Sequence, residues 1–160
     1  MFDNKMTDIL SHVKVFNGLE KSDLKIISKY CKKIGFNNGE VLIETGQPPS
    51  AFYILIKGQL KVFLPKRIEG RKEHRGTEIN LNILNEGDCF GEYSLIGKTV
   101  ASASVIGIQP GEVLKIPENE FHQIMANDRI GKTVYCNLLN ILMKRLREKE
   151  EELDLVLIID

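Results

Sequence analysis

The stretch Glu86-Gly87-Asp88-Cys89-Phe90-Gly91-Glu92-Tyr93-Ser94-Leu95-Ile96-Gly97-Lys98-Thr99-Val100-Ala101-Ser102-Ala103-Ser104-Val105 decides how this chain is read. Turn chemistry at Glu86-Gly87-Asp88 follows the apolar alternation of Leu81 and Ile83. Gly91 and a lone acid, Glu92, precede a short apolar patch from Tyr93 to Ile96, and Gly97-Lys98 turns the chain again. Small residues then lead into a strand-like run at Val105. A loop that folds over one short helical turn exposes several backbone N–H groups around a concavity, which suits an anion.

On either side of this stretch the period is that of strands. Val41-Leu42-Ile43 is one, after turn chemistry at Gly35 and Asn37-Asn38-Gly39. Gly46-Gln47-Pro48-Pro49-Ser50 turns into Ala51–Ile56, and Lys57-Gly58-Gln59 is expected to turn that strand back into Leu60, Val62 and Leu64. A polar insertion from Pro65 to Thr77 carries Lys66, Arg67, Arg71, Lys72, His74 and Arg75, and Ile79, Leu81 and Ile83 alternate after it. Ala103-Ser104-Val105 leads through Gly107 and Pro110-Gly111 to Val113, Leu114 and Ile116. Short strands punctuated by Gly and Pro at this density predict a mainly β fold, a jelly-roll-like barrel over residues 34–116.

Helices flank the barrel. Residues 7 to 31 read as helical, with a first stripe of Ile9, Leu10 and Val13 and a second helix capped by Ser22 that carries Leu24, Ile26, Ile27 and Tyr30. The N-terminal helices thus fill residues 1–33 and the C-terminal ones 117–160, in one domain. Pro117 opens a helix with Phe121, Ile124 and Met125 on one face, and Asp128 is a suitable cap for the last, long helix. There Tyr135, Leu139, Leu142, Leu146, Lys149, Leu153 and Val156 step by four and three, a heptad seam. A second line, Ile130, Val134, Leu138 and Ile141, would pack on the barrel while the seam meets a second copy in a parallel homodimer. The charged run from Lys144 to Glu152 lies where the barrel is not expected to reach, and it reads as a solvated face.

Composition excludes several classes. Apolar residues at 42% and charged residues at 28% describe an ordinary globular chain, and 22 basic residues balance 22 acidic ones, so no global field draws the protein to nucleic acid. No apolar run approaches the ~20 residues of a membrane helix, and Met1-Phe2-Asp3-Asn4-Lys5 lacks a signal-peptide core. Cys31, Cys89 and Cys136 are scattered and odd in number, which suits reduced thiols in the cytoplasm and no metal site. His12, His74 and His122 lie on separate elements, and no nucleophile or nucleotide-hydrolysis motif is present, so no enzyme is expected.

The order helix, barrel, helix, long helix, together with the opening motif, resembles a cyclic nucleotide-binding domain of the kind found in catabolite activator proteins, kinase A regulatory subunits and gated channels. Val15-Phe16 with Leu19 and Asp23-Leu24 resemble that family's opening helix, and Gly39-Glu40-Val41-Leu42, Gly46, Tyr53-Ile54-Leu55, Gly58 and Val62 its first strands. Glu86 through Glu92 resembles the start of its phosphate-binding cassette, here residues 86–105. Ala103, Val105, Leu114, Ile116 and Phe121 match the family's later positions. The likeness runs from about residue 15 to 155.

The resemblance implies a regulatory domain that takes cAMP or cGMP. Its candidate contacts are Phe90, Gly91, Glu92, Tyr93, Ser94, Leu95, Lys98, Thr99, Ala101 and Ser102. Glu92 would accept from the ribose 2′-hydroxyl, and Gly91 would let the backbone approach. The family also places an arginine nine or ten residues after that acid, forked on the phosphate. Those positions hold Ala101 and Ser102. Losing a charge-assisted contact of ~1.5–3 kcal/mol weakens binding by ~10- to 100-fold. Lys98 and the hydroxyls of Thr99, Ser102 and Ser104 are the substitutes within the cassette, and an uncharged ligand is an alternative.

Two readings therefore stand: a sensor that couples the cassette to the dimer helix, and a degenerate domain that binds no cyclic nucleotide and serves as a dimerisation or protein-interaction scaffold. The family's transcription factors continue into a DNA-reading module, whereas this chain stops at Asp160 after Leu155-Val156-Leu157-Ile158-Ile159. DNA binding by this chain alone is not expected, and the apolar tail should pack on the barrel, a second copy or an unidentified protein partner.

Overall fold

The computed structural model describes residues 2–48, 50–68, 70, 72 and 74–159; Pro49 of the predicted turn and Arg71 of the basic insertion lie outside them. Helix α1 (Phe2–Ser11), a 3₁₀ turn (Lys14–Phe16) and α2 (Lys21–Ser28) lead into β1 (Lys32–Phe36), β2 (Val41–Ile43), β3 (Ala51–Leu64), β4 (Ile79–Leu84) and β5 (Cys89–Phe90). The chain continues with α3 (Glu92–Gly97), β6 (Ser104–Pro117), α4 (Glu118–Met125) and α5 (Asp128–Ile159). All pairings are antiparallel, in the order β1-β6-β3-β4, with β2 also on β6 and β5 on β3. The predicted mainly β architecture with flanking helices is the one found.

Its two longest strands depart from the sequence reading. Lys57-Gly58-Gln59 does not turn the chain back: β3 runs straight through, and β6 runs through Gly107 and Pro110-Gly111. The two pair from Ala51↔Pro117 to Phe63↔Ser104, with register shifts between Leu55 and Leu60. Gly58 sits there at φ +91°, where an added Cβ would stand 2.7 Å from the Pro110 carbonyl oxygen. The glycine is thus the signature of a bulge between two bent strands. Gly35, read as turn chemistry, lies inside β1 opposite Glu112, so the sheet begins at Lys32 rather than at residue 34.

Strand β3 divides the interior, because alternate side chains face opposite sides. Phe52 and Ile54 join a helical cluster with Leu10, Phe16, Leu24, Ile27, Phe121, Ile130, Val134 and Leu138. Tyr53 and Leu55 join a barrel cluster with Phe36, Leu60, Leu84, Phe90, Val105 and Val113. Phe52 stacks on Phe121 at 5.2 Å between centroids, and Tyr53 on Phe90 at 4.9 Å.

The helix caps also differ from those expected. Glu20, not Ser22, caps α2 in a reciprocal box with Asp23, and Ser22 lies within the first turn. Asn127 Oδ1 accepts from the Ile130 N–H at 3.1 Å, so Asn127 does the capping expected of Asp128. The line Ile130, Val134, Leu138 packs inward as predicted. Asn137 Nδ2 donates to the carbonyls of Val15 (3.0 Å) and Asn17 (2.8 Å), tying α5 to the N-terminal segment. Past Ile141 the helix leaves that cluster and runs beside the cassette.

Candidate functional site

The cassette is built by one glycine and one short helix. Gly91, at φ +85°, ends β5 and starts α3; an added Cβ would stand 2.6 Å from the Ala51 carbonyl oxygen. Its freedom therefore serves packing against β3, a demand of the protein itself. The turn sinks Leu95 into the helical cluster and leaves Tyr93 exposed at the surface. Ser94 Oγ donates to the Gly91 carbonyl at 3.2 Å, and the Thr99 N–H to the Ser94 carbonyl at 3.2 Å. Lys98 ends α3 in a left-handed conformation, φ +51°.

Beside α3 lies a cavity of about 320 Å³, at the lower end of the range for small-molecule sites. Ile43, Val62, Leu81, Leu84, Phe90, Ala101, Ala103 and Val105 give it apolar walls from the barrel and cassette. Gly91, Glu92, Tyr93, Ser94 and Ser102 border it as well. Of the ten candidate cassette residues, Leu95, Lys98 and Thr99 are not among the lining ones. Ala101 is strapped to the neighbouring turn: its N–H donates to the Gln47 carbonyl at 2.8 Å, and its carbonyl accepts from the Gly46 N–H at 2.8 Å. Ser104, expected as an anion donor, is buried and holds Thr45, whose backbone N–H donates to Ser104 Oγ at 2.9 Å. The second half of the cassette thus spends polar groups on the scaffold.

The remaining wall is α5. Leu142, Arg145, Leu146, Glu148, Lys149 and Glu152 all line the cavity. This corrects the expectation that the charged run lies beyond the barrel's reach and is merely solvated. Arg145 Nη1 donates to Glu92 Oε1 at 2.7 Å, and Nη2 to the Cys89 carbonyl at 2.7 Å. The Glu92 side chain is 2% exposed and that of Arg145 20%. Burial pushes the Glu92 carboxyl above its ordinary range, while the charge of Arg145, the backbone N–H of Glu92 and the Arg145 hydrogen bond pull it down. Arg145 thus offsets only part of the cost of burying that carboxylate. Its own burial works against the guanidinium charge, yet Glu92 first, then Cys89, Tyr93 and Asp88, hold its pKa above the ordinary value.

Sequence reasoning misses Arg145 because it reads as one member of a charge run. Its signal is positional: it stands three residues after Leu142 and four before Lys149, on the face that the heptad line itself traces. Of the expected dimer-helix residues, Tyr135, Leu139, Leu146 and Leu153 are exposed, and Leu142 is half-buried against the cavity. The tail from Leu155 to Ile158 is exposed and does not pack on the barrel. Near the two ends of the basic insertion the Arg75 N–H donates to the Lys66 carbonyl at 3.0 Å.

Comparison with known proteins fits this geometry. Residues 33–128 match the family model of the cyclic nucleotide-binding domain. The chain belongs to that family. Among curated relatives it is 31% identical over 125 residues to the cGMP-dependent protein kinase egl-4 of Caenorhabditis briggsae, covering 78% of this chain and 16% of the kinase. It is 27% identical over 148 residues to the CRP-like cAMP-activated global transcriptional regulator of Mycobacterium tuberculosis, covering 92% of this chain and 62% of the regulator. The crystal structure of the Thermus thermophilus catabolite activator protein superposes with a TM-score of 0.70 at 27% identity, over 89% of this chain and 62% of that one. This cyclic nucleotide-binding domain thus spans about a sixth of the length of the kinase and less than two thirds of the regulators. Among the described residues no helix is long and apolar enough to cross a membrane.

Proposed function

We propose that the chain is a regulatory, non-catalytic domain that takes a small ligand of the cyclic nucleotide type in the cavity beside α3 and passes its occupancy to α5. The observation that carries this reading is the contact between Glu92 and Arg145. Glu92 is the acid that the family resemblance assigns to a ribose hydroxyl, and its side-chain partner belongs to the helix that would carry the signal. A hydroxyl presented to Glu92 competes with the guanidinium, so occupancy of the cavity and position of α5 are linked through one carboxylate. Such a ligand shifts the helix only as far as its affinity differs between the two arrangements.

The output surface is the exposed line Tyr135, Leu139, Leu146 and Leu153, continued by Leu155 to Ile158, which suits a second copy in parallel. Leu139→Glu tests it without touching the cavity: sedimentation should give half the mass of the wild type, and an unchanged mass sinks the seam.

A second reading is favoured by one residue. The methyl group of Ala101 stands where the family resemblance calls for a phosphate-binding arginine, which suits a scaffold that takes no cyclic nucleotide. Calorimetric titration of the full chain with cAMP and cGMP separates the two. Micromolar binding supports the sensor; silence of the wild type up to millimolar leaves the scaffold, and binding regained in Ala101→Arg would show that only the cation is lacking.

A further inference from the structure

Among the described residues the cavity has no lining cation from the cassette and two from the helix. Its lining cations are Arg145 and Lys149, and Lys149 is drawn to Glu152, with Nζ 2.6 Å from the carboxylate. Arg145 is the inner one, 20% exposed and already in contact with Glu92. A guanidinium carries five N–H donors in a planar fork, and the two bonds to Glu92 and the Cys89 carbonyl use two of them.

We infer that Arg145 is the anion receptor of this site, supplying from α5 the charge that the cassette lacks at Ala101. The inference rests on the reading of the cavity as a ligand site and names the chemistry of its ligand. An anion that took Arg145 and gave nothing back would strand Glu92, a carboxylate 2% exposed, without its partner. The ligand must therefore carry a donor as well as an anion, close enough together to bridge two side chains that now touch. A hydroxyl on the carbon beside a phosphate ester has this pattern, and a ribose 3′,5′-cyclic phosphate presents it through its 2′-hydroxyl. The body attached to it should be apolar or aromatic, to fill the space between Val62, Leu84, Phe90, Val105 and Leu142.

Placing the receptor on α5 changes the regulation as well as the affinity. With the cation in the cassette, a ligand can sit without the helix. With the cation on α5, bound ligand becomes a bridge between cassette and helix, and whatever fixes α5 raises ligand affinity by the same factor that ligand fixes α5.

The test is a titration of four forms of the 160-residue chain, wild type, Arg145→Ala, Arg145→Lys and Ala101→Arg, with cAMP and cGMP and with adenosine and guanosine, which lack the phosphate. The expected result is that the wild type prefers the cyclic nucleotide over its nucleoside by ~10- to 100-fold. Arg145→Ala should lose that preference while still binding the nucleoside, which shows that it remains folded, and Arg145→Lys should keep part of it. A preference that survives in Arg145→Ala overturns the inference and leaves the sensor reading standing. A silent wild type beside an Ala101→Arg variant that binds overturns the inference as well, and the sensor reading for these ligands with it, because the cassette frame is then sound and Arg145 does not supply the charge. Silence in both the wild type and Ala101→Arg overturns the sensor reading, and the inference with it.

Discussion

Asp23 and Glu92 are both buried carboxylates, 1% and 2% exposed, and each meets an arginine of α5. Arg129 reaches Asp23 at the base of the helix, and Arg145 reaches Glu92 sixteen residues later, about 24 Å along the axis. The surroundings differ. Asp23 closes the capping box of α2, accepting the Glu20 backbone N–H at 3.1 Å, and Arg129 lies 57% exposed, shared with Glu20 at 3.1 Å. Glu92 relies on Arg145 and its own backbone N–H, in the wall of a cavity. Both carboxylates keep a backbone donor, but the first pair has its arginine at the solvent-exposed edge, 57% exposed, where water can take the place of the guanidinium, whereas Arg145 is 20% exposed. The second pair therefore depends more on its arginine, and under the proposed function it is the one a ligand would compete for.

Arg145→Met should therefore cost most, about 3 kcal/mol at neutral pH, since it strips a buried carboxylate of its partner. The pH dependence gives the cause. A carboxyl whose folded-state pKa lies above its unfolded value costs the fold stability when ionised; that cost is complete above the folded pKa and disappears as pH falls toward the ordinary value of 4.5. The gap between wild type and Arg145→Met in urea unfolding should narrow from pH 7 to pH 5. A gap that stays constant would mean that Glu92 is not the group left stranded. Asp23→Ala should cost less, about 1 kcal/mol, the loss of the N3 half of the capping box, read in the same unfolding experiment.

How much of this is legible in the sequence depends on how local each signal is. The turn at Glu86-Gly87-Asp88, the α3 glycine and the inward line of α5 are written in neighbouring residues, and they lead to the family and the fold. The bulged course of β3 past Gly58 is not, because a glycine at positive φ looks the same in a bulge as in a hairpin; only the facing Pro110 carbonyl tells them apart. The chemistry of the site is half legible. Glu92 and the alanine at 101 stand out within one motif, whereas Arg145 lies 53 residues from Glu92. Its role needs the angle at which α5 leaves the helical cluster, which is a property of packing at Ile130, Val134 and Leu138. The exposed seam is predicted from period alone, and period does not say that Leu142 turns toward the cavity.

Two thiols lie near the elements that the two arginines of α5 hold, Cys89 at the Arg145 contact and Cys31 after α2, the helix that Arg129 meets. Cys89, whose carbonyl receives Arg145, has its pKa pushed up to about 12 by burial, with Glu92 adding to it. Cys31, just past α2, is pushed up to about 12 by burial alone. Both should resist iodoacetamide at pH 8, since the thiolate is the reactive form, while the exposed Cys136 is alkylated. Arg145→Met removes the charge that lowers the Cys89 pKa, so Cys89 should be alkylated no faster than in the wild type and Cys31 should be unchanged, as followed by peptide mass spectrometry. Arg129→Ala should have the smallest effect of all. Its guanidinium is in water, the Glu20 N–H still serves Asp23, and the Asn137 bonds to Val15 and Asn17 still hold the helix base. Neither thiol should then react faster than in the wild type. If Cys31 did, the base of α5 would depend on Arg129 as its middle depends on Arg145, and the contrast between the two pairs would fail.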